Sequence, residues 1–160
     1  MKNQKNILIL HNIRSVSNVG AMFRTADAAG IDKIYLTGYT PCPLDRFGRK
    51  RGDLAKSALG AEEFVPWEQK KNIFPLLAEL KREKFLIIGI EQDKNSVDYK
   101  TLRLRSGRGN VFIVGAEVTG IPKSVLEKCD IVAEIPMRGK KESLNVSVAL
   151  GVALFRICNL

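Results

Sequence analysis

Apolar positions fall into short continuous runs that alternate with stretches of helical spacing. Continuous runs of this length read as buried strands, and apolar residues at i, i+3, i+4 and i+7 read as one face of a helix. Asn6–Ile13 is predicted as a buried strand. Ser17 or Asn18 then caps a helix to about Ala29, ended by Gly30. Lys33–Thr37 is a strand, and Gly38 to Gly52 is a Gly/Pro-containing loop. Leu54–Leu59 reads as a short helix closed by Gly60, and Glu63–Val65 as a short strand. Ile73, Leu76, Leu77 and Leu80 give Asn72–Lys84 a helical face. Phe85–Ile90 and Asn110–Val114 are strands, Pro122 opens a helix through Cys129, and Asp130–Pro136 is the last strand. Leu144–Leu160 is a long apolar helix. This alternation predicts an α/β fold, a mostly parallel sheet with helices on both faces. With no linker, repeat or low-complexity segment, residues 1–160 are expected to form one domain.

Charge adds a partner to that picture. The chain has 26 Lys and Arg against 17 Asp and Glu, a net charge of +9. The basic residues cluster: Arg46, Arg49, Lys50, Arg51 and Lys56 with only Asp45 and Asp53 to offset them, then Lys100, Arg103, Arg105 and Arg108 without acids, then Arg138, Lys140 and Lys141. A polyanion such as RNA, held through its phosphates, fits these clusters. No apolar run approaches the ~20 residues that span a bilayer. Lys2 and Lys5 precede Ile7–Leu10, but His11 and Asn12 interrupt that run, so it reads as a first strand rather than a signal segment. A cytoplasmic protein with no membrane partner is expected. Cys42, Cys129 and Cys158 lack metal-ligand spacing, and His11 is the only histidine, so no metal site is expected.

Candidate chemistry gathers at three strand ends, where open α/β sheets bind ligands. The first corner is Asn18-Val19-Gly20-Ala21-Met22-Phe23-Arg24. Gly20 permits close backbone approach, and Arg24 suits a phosphate or a polar substrate edge. The plain alternative is a surface arginine on an amphipathic helix. The second is Val114-Gly115-Ala116-Glu117-Val118-Thr119-Gly120, in which Glu117 either accepts from a ligand, positions Arg24, or is an ordinary loop carboxylate. The third runs Ile135-Pro136-Met137-Arg138-Gly139 to Ser143-Leu144-Asn145-Val146-Ser147. Helix capping alone explains Ser143 or Asn145 but not the whole run. A phosphate loop is missing, as is a dinucleotide fingerprint after the first strand. The site therefore calls for a cofactor that carries its own chemistry.

Asn18-x-Gly20-x-x-x-Arg24, Ile113-Val114-Gly115-Ala116-Glu117-x-x-Gly120-Ile121, and Ile135-Pro136-Met137-x-Gly139 with Ser143-Leu144-Asn145-Val146-Ser147 resemble, in order and spacing, the three motifs of the SpoU/TrmH group of SPOUT-class RNA ribose methyltransferases. The resemblance runs from about Ile7 to Leu160. It implies a C-terminal deep trefoil knot that cradles S-adenosylmethionine, with Ile90, Gly115, Ile135, Met137 and Leu144 against the cofactor. It implies methyl transfer to a ribose 2′-hydroxyl of tRNA or rRNA, with Arg24 on the hydroxyl and Asn18, Glu117, Ser143 and Asn145 holding Arg24 and the ribose. Arg46, Arg49, Lys50, Arg51, Lys56, Arg103 and Arg105 then meet RNA phosphates. It also implies a homodimer, and the apolar circumference of Leu144–Leu160 points the same way. Because the chain starts at the first strand, a minimal form without an N-terminal extension is expected.

Two other readings stay open at this level. A base-methylating enzyme of the same scaffold differs chiefly in the first and third motifs. A non-catalytic RNA-binding protein would show the same charge but is expected to lose Arg24, Glu117 or Asn145, all of which are present.

Overall fold

The computed structural model describes residues 4–160, so Lys2 of the N-terminal basic pair lies outside the described residues. In chain order the elements are β1 (Asn6–His11), α1 (Val16–Ala28), β2 (Lys33–Thr37), α2 (Gly52–Ala58), α3 (Ala61–Phe64), β3 (Trp67–Lys70), α4 (Ile73–Arg82) and β4 (Leu86–Ile90). There follow β5 (Val97–Asp98), a 3-10 turn (Tyr99–Thr101), β6 (Asn110–Val114), α5 (Lys123–Leu126), β7 (Ile131–Glu134) and α6 (Val146–Cys158). The strands form one seven-stranded sheet in the order β3-β2-β1-β6-β4-β7-β5, and every pairing is parallel. All the carboxyl ends therefore lie along one edge. β6 enters between β1 and β4, and β7 between β4 and β5, in each case between strands that come earlier in the chain.

Strand alternation divides the core in two. Leu8, Leu10, Ile34, Leu36, Ile88, Phe112 and Val114 pack under α1, α2, α3 and α6. Ile7, Ile9, Ile87, Val111 and Ile113 pack under α4 and α5. A strand covered on both faces reads as a continuous apolar run, which is why β6 is buried along its whole length. The outer strand β3 is polar, and on it Glu68 Oε2 meets Lys33 Nζ at 2.8 Å. Hydrogen bonds from Lys33 and Lys70 draw the Glu68 carboxyl down to about 2.

The structure departs from the sequence expectations at several boundaries. Ser15, not Ser17 or Asn18, caps α1: its side chain accepts from Asn18 N at 3.1 Å. This leaves the Asn18 side chain free for other partners. Glu63–Val65 is not a strand. Glu63 lies in α3, whose turn closes with Glu63 N to Gly60 O at 3.0 Å and Val65 N to Ala61 O at 3.0 Å. Three residues are too few to separate a period of two from one of 3.6, and the strand begins after Pro66. The two-residue β5 has no apolar run to announce it. The last helix starts at Val146 behind its cap Asn145, so Leu144 belongs to the loop. His11 is a satisfied strand-end residue. Its Nδ1 donates to Thr37 Oγ1 (2.8 Å) while Asn12 Nδ2 donates to Nε2 (3.3 Å), and burial lowers its pKa.

Candidate active site

A cleft of ≈ 180 Å³ opens at the carboxyl ends of β4, β6 and β7. Ile90, Gly115 and Ile135 stand at the three strand ends. Met137, Ser143, Leu144, Val146 and Ala149 close it from the loop before α6 and from α6 itself. Glu91, Gln92, Ala116, Glu117, Thr119 and Gly120 complete the lining. All five residues expected to hold a cofactor (Ile90, Gly115, Ile135, Met137 and Leu144) are here. Gly115 is required by packing: a Cβ built on it would lie 2.5 Å from Gly120 C and from Ile121 N. The chain turns back on itself there, with Ala116 bridged to Gly120. Two carboxylates line the cleft, and among the described residues no lysine or arginine does.

A chain of polar contacts joins the three corners beside this cleft. Glu117 accepts from Arg14 N through Oε2 (3.0 Å) and from Ser15 N (3.0 Å) and Asn18 Nδ2 (3.2 Å) through Oε1. Asn145 Nδ2 donates to Asn18 Oδ1 (3.3 Å). Asn145 Oδ1 in turn accepts from Ser147 N (2.9 Å) and Ser147 Oγ (2.6 Å), capping α6. Burial pushes the Glu117 carboxyl up, but the N–H donors of Ser15 and Arg14 and the Asn18 amide together hold it below its ordinary value. A carboxylate that accepts backbone N–H bonds is stabilised in its charged form. Residues distant in sequence thus share one bonded corner.

Two expected features take a different form. Among the described residues Glu117 makes no hydrogen bond or ion pair to Arg24. Arg24 is exposed on α1, about 120° round the helix from Asn18, and among the described residues it has no hydrogen bond or ion pair and no place in the cleft lining. Gly20 serves α1–α2 packing rather than ligand approach: its Cβ would meet Ser57 Oγ at 2.0 Å and Leu54 O at 2.6 Å. Ser143 lines the cleft without joining the polar chain.

The basic clusters carry more counter-charge than their sequence suggests. Arg49 pairs with Asp45 (3.0 Å) and Arg51 with Asp53 (2.7 Å), while Lys50 meets Glu63, an acid from α3. The Lys100–Arg108 cluster is not without acids: Lys100 lies 3.7 Å from Asp98, and Arg108 lies 3.9 Å from Asp130. Arg108 also donates to Lys84 O (2.9 Å) and Phe85 O (3.2 Å), a fold-holding role. Arg46, Lys56, Arg103 and Arg105 are exposed, and among the described residues Arg46, Lys56 and Arg105 make no side-chain hydrogen bond or ion pair.

Sequence reasoning missed Glu91 and Gln92. Glu91 follows β4 directly. Its Oε2 accepts from Ile121 N (3.0 Å) and its Oε1 from Gln92 N (2.9 Å), which pins the turn containing Gly120. Gln92 Nε2 donates to Glu142 O (2.7 Å), tying the third corner to β4. The signal was position alone: polar residues immediately after a buried strand, on the edge that binds ligands. Among the described residues no group of His, Cys, Asp and Glu is arranged to hold a metal, and no helix is long and apolar enough to cross a membrane.

An open parallel sheet with a ligand cleft at three strand ends and a polar corner beside it defines a ligand-binding α/β protein. A sequence profile described as the SpoU rRNA Methylase family matches residues 5–155, and the chain belongs to that family. It is 34% identical over 151 residues to the 23S rRNA (guanosine-2'-O-)-methyltransferase RlmB of Pseudomonas aeruginosa, a match covering 94% of this chain and 57% of the relative. The chain thus spans little more than half of that relative's length. Its fold is similar to that of an AdoMet-bound rRNA methyltransferase from Sinorhizobium meliloti, with TM-score 0.85 and 27% identity over 95% of this chain and 55% of the other. It is likewise similar to the TrmH/SpoU tRNA modifying enzyme of A. aeolicus, with TM-score 0.82 and 27% identity over 98% of this chain and 75% of that one.

Proposed function

We propose that this protein transfers a methyl group from S-adenosylmethionine to a ribose 2′-hydroxyl of tRNA or rRNA, with residues 1–160 acting as one catalytic domain in the cytoplasm. The observation that carries this is the cleft's charge. Glu91 and Glu117 line it and, among the described residues, no lysine or arginine does, which suits a ligand bearing a sulfonium and an ammonium and disfavours a phosphate-bearing nucleotide. Apolar Ile90, Ile135, Leu144 and Met137, with backbone groups around Gly115, fit an adenine. S-adenosylmethionine supplies the methyl group as an electrophile. The protein's own part is to exclude water from the cleft and to align the hydroxyl beside it. Asn18, Glu117 and Asn145 form a rigid polar corner for the ribose, with Ser143 at the cleft mouth. Arginine is a poor base as such, so Arg24 either orients the hydroxyl and its phosphate or passes its proton to that phosphate first.

The remaining reading concerns assembly and topology. Exposed Leu144, Val148, Val152 and Phe155 leave an apolar strip on and beside α6. A C2 homodimer burying this strip, with part of α1, accounts for it. It also gives the exposed Arg24 a site completed at the subunit interface. The insertion of β6 and β7 between earlier strands supports a deep trefoil knot in the C-terminal part. Arg46, Arg49, Lys50, Arg51, Lys56, Arg103 and Arg105 are assigned to RNA phosphates. The test is calorimetric titration with S-adenosylmethionine, without RNA or metal. Saturable one-site binding is expected, and no heat at millimolar ligand with folded protein sinks the assignment. Mapping 2′-O-methyl sites in total RNA with and without the gene then names the nucleotide.

A further inference from the structure

One large apolar side chain outside the proposed chemistry stands where burial does not explain it. Phe47 sits at the tip of a turn whose arms pair at Leu44 and Lys50. The turn is firmly tied. Asp45 Oδ1 accepts from Phe47 N (2.8 Å) and Arg49 N (3.0 Å), Gly48 N donates to Asp45 O (3.0 Å), and Asp45 N donates to Arg49 O (2.8 Å). Yet Phe47 is 66% exposed. The guanidiniums of Arg46 and Arg49 lie over it, 4.7 and 5.0 Å from its centroid. Arg49 is held by Asp45 Oδ2 at 3.0 Å, whereas Arg46 has no hydrogen bond or ion pair among the described residues. The segment leaves β2 at its carboxyl end, on the sheet edge that carries the cleft.

A stiff turn that holds an aromatic ring in water beside two cations offers an unpaired nucleobase both things it needs. The ring gives a face to stack on, and the cations meet the adjoining phosphate. A duplex keeps its base faces inside the stack and gains only the phosphate contacts. We propose that Phe47 stacks an unpaired base of the RNA, with Arg46 leaving the ring for the neighbouring phosphate, so that the protein selects its target within a single-stranded segment. This rests on the RNA reading above.

The test uses the full chain, a ~12-nucleotide oligoadenylate and an RNA duplex of the same length. Phe47→Leu keeps apolar bulk without a ring. It is expected to lower oligoadenylate affinity roughly 5- to 100-fold, the loss of one stacked base. Duplex affinity, melting temperature and the slope of log affinity against log salt should stay unchanged, and Phe47→Tyr should restore oligoadenylate binding. Equal oligoadenylate affinity for wild type and Phe47→Leu, or equal losses on both RNAs, overturns the stacking role and leaves the RNA reading standing. Wild-type protein that binds neither RNA overturns both.

Discussion

The polar corner and the basic turn share one edge of the sheet and are built on opposite terms. In the corner, Glu117, Asn18 and Asn145 spend their hydrogen-bonding capacity on each other and on backbone N–H groups, fixing three distant segments in one geometry. In the turn and the segment around Arg103, most charged side chains reach into water, paired with nearby acids, with backbone carbonyls as at Arg103 and Arg108, or with no hydrogen-bonding partner among the described residues. Solvent-exposed ion pairs hold only weakly, so Arg49, Lys50 and Arg51 exchange a carboxylate for a phosphate at little cost. The contrast teaches where each task belongs. Alignment of reacting atoms needs a geometry settled before the ligand arrives, whereas a flexible polyanion is met by side chains that can move.

Arg24 is the sharpest way to break this comparison, since by exposure it belongs with the solvated charges and by its proposed role with the fixed corner. Arg24→Ala should lower the single-turnover methylation rate by ~100-fold or more at saturating RNA, while calorimetric affinity for S-adenosylmethionine stays unchanged. A full rate would return Arg24 to the plain reading of a surface arginine.

Gly115→Ala attacks the fixed side directly. The added Cβ meets backbone, not a movable side chain. The expected costs are ~1–3 kcal/mol of stability and at least about tenfold in S-adenosylmethionine affinity. Thermal melts and calorimetry check these together, and an unchanged affinity would show that the cleft does not hold the cofactor.

Assembly comes next. Val152→Glu places a charge on the exposed apolar strip of α6. Light scattering at ~10 µM should give a dimer for wild type and a monomer for the variant. A wild-type monomer would remove the subunit interface from the account of Arg24.

Neutralising Lys50 and Arg51 together should reduce the slope of log affinity against log salt by roughly one per lost phosphate contact, at every RNA sequence, without changing the rate at saturation.

The smallest effect is a pH dependence. The Glu117 carboxyl is held below its ordinary value of 4.5, so its contribution to stability is fully present above about that pH. It is lost as pH falls through the lower folded value. In Glu117→Gln the melting temperature should fall less steeply on acidification below about pH 4.5. Parallel curves for the two proteins would mean the carboxylate's charge is not what secures the corner.

Much of the fold was legible because its signals are local. β6 matched its expected limits residue for residue, and the four apolar positions expected to form the face of α4, Ile73, Leu76, Leu77 and Leu80, are all buried. The boundaries that failed, at Ser15, at α3 and at β5, are those where one hydrogen bond or a two-residue pairing decides. For the site, the three polar corners held Gly115, Glu117, Ile135, Met137 and Leu144, the family resemblance supplied Ile90, and all six line the cleft. Both stopped short of Glu91, whose partner, Ile121 N, lies 30 residues away.

The sequence by itself determined the alternating α/β pattern, the basic charge and the three polar corners, because periodicity, composition and motif spacing are written along the chain. Only the tertiary structure decided strand order, which corner bonds to which, and where counter-charges fall. Asn18 meets Asn145, and Lys50 meets Glu63, through the packing of elements whose chain separation carries no information about their distance. The same packing put Gly20 against α2 and left Arg24 facing water, for a helix shows its residues to whichever neighbour the fold supplies.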